Sequence, residues 1–170
     1  MSGPVTSPVE ALREALTAQF ASDPAVMLLL GNPLRLYDER STRAAFPHAS
    51  WGRIETHESG ADGVRLLEVR LGLDVWYRDG EPGPVLDALA DSVSAAALPN
   101  LPEPALPEPW RLITLTPAYR DVFSTRERRL KRGLLRLRAV VGGDWHENGA
   151  IPAYIDGSGG AIYGEVSWLV

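Results

Sequence analysis

The stretch LEVRLGLDVWY, residues 67–77, decides the fold. Every second position, beginning at 67, carries an apolar or aromatic side chain, and the positions between them include Glu68, Arg70, Asp74 and Trp76. Because successive side chains of a β-strand point to opposite faces of a sheet, this alternation predicts a strand with one face on a core and the other in water.

Further strands are predicted on both sides of this segment. The turn-forming sequence at 58–63 predicts a hairpin that pairs residues 67–77 with a strand at 51–57. The other predicted strands lie at 34–38, 110–116 and 130–141, and a loop containing residues 119–126 separates the last two.

Helices are predicted before and after the first hairpin. Ser7-Pro8-Val9-Glu10 is typical of a helix start with Ser7 as the N-cap, and apolar residues recur behind it at helical spacing as far as Phe20. A second, short helix is predicted at 25–30 and a third at 84–98. Five prolines within residues 99–109 exclude a helix there and predict an extended connector.

The order of these elements predicts an α+β fold, in which an antiparallel sheet of about four strands has its helices packed on one face. We assign residues 1–141 to this domain. Residues 142–170 are Gly-rich, and two apolar segments around the sequence DGSGG resemble a hairpin. Such a hairpin is marginally stable alone, so we predict a C-terminal extension that docks on this domain or on a neighbouring subunit.

Composition excludes several classes of function. The 170 residues include no cysteine, which excludes disulfides, thiolate catalysis and cysteine-ligated zinc. The formal net charge of −5 argues against a generic nucleic-acid-binding protein, which would usually be basic throughout. No apolar run approaches the ~18–20 residues that a membrane span needs, so we expect no membrane partner.

Few residues favour a catalytic interpretation. His57-Glu58 and His146-Glu147 begin like a metalloprotease motif, but alanine stands where the second histidine is required. Ser50 and Ser158 lack the preceding glycine of a nucleophile elbow. We therefore expect all three histidines to lie on the surface or in turns, and we expect no metal, no cofactor and no enzyme. A hydrolase that uses Ser50 or the histidines is the alternative that these residues leave open.

The run TRERRLKRGLLRLRAVVG, residues 125–142, concentrates basic charge in this acidic chain. Residues 120–138 include eight basic and two acidic side chains, which leaves a formal charge of about −11 for the rest of the chain. Strand periodicity predicts that Leu135, Leu137 and Ala139 point inward, while Arg136 and Arg138 point outward.

Three interpretations of this basic run stay open. A strongly dipolar protomer favours contact with a neighbouring subunit, for which arginine is well suited. The run is also compatible with a solvated strand face, or with an accessory nucleic-acid-binding module that uses residues 128–138. The candidate subunit-interface residues are Arg126, Arg128, Arg129, Lys131, Arg132, Arg136 and Arg138.

Four segments in a fixed order carry a resemblance to a known family. They are VEALREALTAQFASDPAVMLLLG, LRLYDE, VWYRDGEPGPVLDALADSVSAAAL, and the Arg-rich strand that follows TPAYRDVFSTRERR. This pattern, over residues 8–141, resembles the tail-completion (tail-terminator) proteins of long-tailed phages and gene transfer agents. Residues from 142 onward depart from the usual pattern of that family, in which the chain ends soon after the last strand.

The resemblance implies a structural, virion-type protein located at the head–tail junction of a phage-like particle that is assembled in the bacterial cytoplasm. It implies a homo-oligomeric ring, a hexamer, that caps the tail tube and joins it to the head-completion (stopper, or connector) proteins. DNA is then expected to pass through the lumen of the ring without being bound specifically.

Overall fold

Three helices and five strands make up the computed structural model, which describes residues 7–60, 65–96 and 106–143. In chain order they are α1 (Pro8–Ser22), α2 (Pro24–Leu30), β1 (Leu36–Tyr37), β2 (His48–Glu58), β3 (Leu66–Arg78), α3 (Gly83–Ala96), β4 (Trp110–Ser124) and β5 (Leu130–Gly143). None of these helices combines the length and the apolar character needed to cross a membrane.

The strands form one sheet in the order β1-β2-β3-β5-β4. The predicted α+β class is confirmed, but the sheet has five strands rather than about four, and it is not purely antiparallel. β1 pairs parallel to β2 through Leu36 and Ala49, whereas all the other pairs are antiparallel. Parallel strands require a crossover instead of a tight turn, and residues 38–47 provide that connection.

The central strand pair, β3 and β5, has one apolar face and one charged face. Leu71 lies opposite Leu137 and Leu73 opposite Leu135, and all four side chains are at most 1% exposed. They pack in one core with buried residues of all three helices, so the helices cover this face of the sheet. Full burial of each such side chain stabilises the fold by about 1.5–3 kcal/mol.

Local signals in the sequence set the helix ends. The predicted N-cap of α1 is confirmed, since the Ser7 hydroxyl accepts a hydrogen bond from the backbone N–H of Glu10 at 3.2 Å. α2 ends at Gly31, whose φ of +87° lies in a region that favours glycine. α3 lies close to β5, because a Cβ on Gly133 would be 2.9 Å from Leu86 Cδ1.

β4 is much longer than predicted. The strand continues to Ser124, so the prediction of a loop containing residues 119–126 is wrong for its first six residues. β4 lies at the edge of the described sheet, and its register with β5 shifts directly after Pro117. Edge strands and bulges are the positions in a sheet where proline is tolerated. Residues 144–170, for which a hairpin is predicted, lie outside the described residues, as do residues 97–105 of the predicted connector.

Candidate subunit-interface surface

All seven predicted interface residues lie on the hairpin formed by β4 and β5. Arg126, Arg128 and Arg129 belong to the loop 125–129 that joins the two strands, and the other four lie on β5. The predicted orientation of β5 is confirmed: Leu135, Leu137 and Ala139 are buried, while Arg138 is exposed and Arg136 is half-buried. The sheet face that bears these two arginines is called the outer face below.

Four of the seven basic side chains form ion pairs within the protomer. Arg132 Nη2 lies 2.9 Å from Asp74 Oδ1, and Arg138 Nε lies 2.7 Å from Glu68 Oε2. The other two ion pairs join Arg129 to Asp79 and Lys131 to Glu81, and both carboxylates lie between β3 and α3. These contacts neutralise much of the charge that the sequence concentrates in residues 125–142.

Glu68 is the centre of the outer-face ion pairs. Although only 8% exposed, it accepts hydrogen bonds from two guanidinium groups, those of Arg138 and, at 2.8 Å, Arg70. The hydrogen bond from Arg138 is the largest cause that holds the pKa of this carboxyl below its ordinary value, and Arg70 adds to it against the opposing effect of burial. The cluster is therefore a paired, charged surface at neutral pH.

The remaining candidates, Arg126, Arg128 and Arg136, have no ion-pair partner among the described residues. Arg126 and Arg128 are both exposed. We call these two residues the basic tip. The structure thus divides the predicted set into four residues that form ion pairs within the protomer and three that form none among the described residues.

The exposed half of β4 adds apolar surface on both faces of the sheet edge. Tyr119 and Phe123 lie on the outer face and Val122 lies on the opposite face. These three side chains are 40–49% exposed, as is Ile113 nearer the start of the strand. Among the described residues, no strand pairs with the open side of β4, so this part of the structure provides no ladder partner for the backbone N–H and C=O groups along it. Tyr119, Val122 and Phe123 were not predicted as surface residues of a strand because a loop was predicted at 119–126.

An open cleft of about 390 Å³ connects the outer face to the basic tip. Its lining includes Trp76 and Phe123 together with three arginines, Arg40, Arg126 and Arg132. Arg40 stacks on the ring of Trp76, with its Cζ 4.2 Å from the ring centroid. Aromatic and arginine side chains are the types enriched at the core of protein–protein interfaces, so this composition is typical of a docking surface.

The candidate catalytic residues are dispersed in the structure. Ser50 is 2% exposed, and its hydroxyl accepts a hydrogen bond from Trp76 Nε1 at 3.4 Å. His57 is exposed on β2, and His146 and Ser158 lie outside the described residues. In the part of the chain that the structure describes, no three His, Asp or Glu side chains are grouped to hold a metal ion.

The prediction that every histidine lies on the surface or in a turn is wrong for His48, which begins β2 and is fully buried. Its ring lies 5.0 Å from that of Phe46 and 5.9 Å from that of Tyr37, centroid to centroid, and its Nδ1 lies 3.3 Å from the carbonyl of Ala45. Burial is the main cause that lowers the pKa of His48. We therefore regard this histidine as a neutral structural residue.

A family model described as "Tail completion protein gp17" matches residues 14–142. The chain belongs to this family. The match confirms the resemblance drawn from the sequence, and the protein is a structural tail-completion component of a virion. The matched range begins within α1 and ends one residue before the end of β5, and it includes all seven candidate interface residues.

A solved structure shares the fold of this tail-completion protein. One chain in the structure titled "Virion of native gene transfer agent (GTA) particle" superposes with a TM-score of 0.68 over 82% of the present chain and 100% of that chain. The two sequences are 20% identical, so this likeness concerns the fold alone. No curated protein matches the chain.

Proposed function

We propose that this tail-completion protein forms a ring, a hexamer, that caps the tail tube and joins it to the head-completion proteins. DNA passes through the lumen of the ring without specific binding, and the protein has no catalytic role. The observation that carries the proposal is the family match over residues 14–142. The shared fold with a chain from an assembled gene transfer agent particle supports it.

The surface of the protomer supports assembly with further copies. Arg126, Arg128 and Arg136 lack ion-pair partners among the described residues, and they lie beside the exposed apolar residues of β4. A ring requires heterologous contacts, in which two different surfaces of the same chain meet. We therefore assign the seven predicted basic residues to the subunit contact as a group. Within this group, Arg126, Arg128 and Arg136 are the residues that contact the neighbouring subunit.

The charge distribution of the protein favours a role as a DNA conduit over a role as a DNA-binding module. The formal net charge is −5, and four of the seven candidate basic residues are neutralised by carboxylates of their own protomer. Nucleic-acid affinity rises with the number of phosphates that Lys and Arg neutralise, so this internal pairing lowers the affinity that the run could supply. Low affinity for DNA is suited to a ring through whose lumen DNA must move.

Electron microscopy and native mass spectrometry of the purified protein test the proposal. We expect six-fold rings, either at high protein concentration or when tail-tube protein is added, and we expect rings at one end of assembled tails. A chain that stays monomeric at every concentration and does not attach to tail ends would contradict the proposal. Duplex DNA at low salt provides the control, since we expect no retention of the ring on it.

A further inference from the structure

The structure carries a second charged surface, on the opposite edge of the sheet from the basic tip. We propose that the basic tip of one protomer docks into an acidic groove of the next protomer, and that repetition of this contact closes the ring. The inference rests on the proposed ring and specifies the two surfaces that build it. The acidic groove is the cleft between α1, the end of β1 and the first residues of β2. Its charged and aromatic lining residues are Glu10, Arg13, Glu14, Asp38 and Trp51.

The acidic groove has an excess of negative charge and an apolar floor. Three carboxylates line it against the single guanidinium of Arg13, which pairs with Asp38 and lies over the ring of Trp51. Glu14 is exposed and has no ion-pair partner in the described part of the chain. The volume of about 450 Å³ leaves room for inserted side chains, and the small Ala18 and Ala21 contribute to the walls.

The basic tip is held rigidly by its own loop. Thr125 Oγ1 donates to the carbonyl oxygen of Leu130 at 2.8 Å and accepts from the backbone N–H of Glu127 at 3.2 Å. Arg129 Nη2 donates to Asp79 Oδ2 at 2.6 Å, and Glu127 pairs with Arg78. Since the loop is fixed at both ends before binding, docking orders little additional backbone, and the entropy cost is confined to the side chains of Arg126 and Arg128.

The positions of the two surfaces suit a head-to-tail contact. The groove lies at the β1 edge of the sheet and the tip at the β4 edge. Along the strands, Trp51 is level with Leu73 and Leu135, about 17 Å from the start of β5 at Leu130. The tip and the groove are therefore two different surfaces at opposite edges of the sheet, which is what a heterologous, head-to-tail contact requires.

Charge reversal tests the contact from both sides. R126E/R128E reverses the tip, and E14R/D38R reverses the groove. Each variant alone places like charges opposite each other, which is strongly unfavourable, so we expect the concentration for half-maximal ring assembly to rise at least about tenfold. An equimolar mixture of the two variants restores complementary pairs at every contact, and we expect it to assemble like the wild type. R111E is the matched control, because Arg111 is an exposed arginine at the end of β4 that is far from the basic tip.

Cross-linking tests the contact independently of the assembly equilibrium. The chain has no cysteine, so R128C and E14C each introduce a single reactive thiol. A bismaleimide reagent should join R128C to E14C in a mixture, giving a covalent dimer. A chain that carries both substitutions should give a ladder that ends at the number of subunits in the ring. R111C mixed with E14C should remain uncoupled.

The outcomes separate this contact from the ring itself. If R126E/R128E forms rings as readily as the wild type, and R128C does not cross-link to E14C, the contact is refuted and the proposed ring is left intact. If the wild-type ring is retained on duplex DNA, and R126E/R128E abolishes this retention while its rings are unchanged, the contact is refuted as well, and the basic tip is assigned to phosphate binding. If the wild type forms no ring, alone or on tail tubes, both proposals fail.

Discussion

The two faces of the β3–β5 pair are built from alternating residues of the same two strands, yet different forces stabilise them. The face under the helices buries leucines such as Leu71 and Leu137 almost completely. The outer face holds ion pairs, such as Glu68 with Arg138, whose arginine side chain is 49% exposed. Burial of apolar area contributes to stability wherever it occurs, whereas half-exposed ion pairs contribute little because water and salt screen them.

This difference shows how one sheet can serve stability and assembly at once. The helix-covered face supplies most of the folding free energy, so substitutions there should unfold the protein. The outer face and the basic tip contribute less to folding, and their residues can be arranged to meet a partner. Changing one residue on each side of the same strand should therefore separate the two roles.

Leu137→Ala should have the largest effect. Leu137 is fully buried opposite Leu71 in the central strand pair, and truncation removes buried apolar atoms and leaves a cavity. We expect the free energy of unfolding to fall by about 3 kcal/mol, within the range of about 2–5 kcal/mol for such substitutions. Urea unfolding followed by circular dichroism measures it. A loss below about 1 kcal/mol would show that the helices do not pack tightly on this face.

Glu68→Gln should have a smaller effect, and one that depends on pH. The guanidinium groups of Arg138 and Arg70 hold the pKa of Glu68 below its ordinary value of 4.5. The carboxylate therefore stabilises the folded state fully above pH 4.5, and this contribution is lost as the pH falls through the lower, folded-state pKa. Glu68→Gln should lower the melting temperature at pH 7 by less than Leu137→Ala does.

The pH series distinguishes the charge of Glu68 from its shape. The difference in melting temperature between the wild type and Glu68→Gln should shrink as the pH is lowered from 7 towards 3, because the wild-type carboxyl itself becomes neutral. A difference that stays constant across that range would show that the two arginines do not depress the pKa of this carboxyl.

The sequence predicts best where one face of an element is buried. β3 and β5 alternate because their inner side chains pack beneath the helices, and both were predicted within two residues at each end. The second half of β4 gives no such signal, since residues 118–124 are exposed on both faces and no alternation is required of them. Its length is set by pairing with β5, which is a property of the sheet.

The sequence could not predict which basic residues form ion pairs within the protomer, for a related reason. The partners of Arg129 and Lys131, Asp79 and Glu81, lie 50 residues earlier in the chain and become neighbours only through the β3–β5 register. The parallel pairing of β1 and the burial of His48 likewise depend on how residues 38–47 cross the sheet. Local periodicity indicates the type of an element and its buried face, but it does not determine these long-range contacts.

Arg136→Ala should have the smallest effect on folding, although Arg136 is the immediate neighbour of Leu137. Its side chain lies on the outer face, where its strand partners are Gly72 and Tyr119, and it has no ion pair among the described residues. We expect the free energy of unfolding to change by no more than about 0.5 kcal/mol, the usual range for surface substitutions. The same urea titration measures it beside Leu137→Ala, and a loss above about 1.5 kcal/mol would contradict the separation of the two faces. If ring assembly weakens in Arg136→Ala while unfolding does not change, the residue acts between protomers, because only the assembled state contains the contact that was removed.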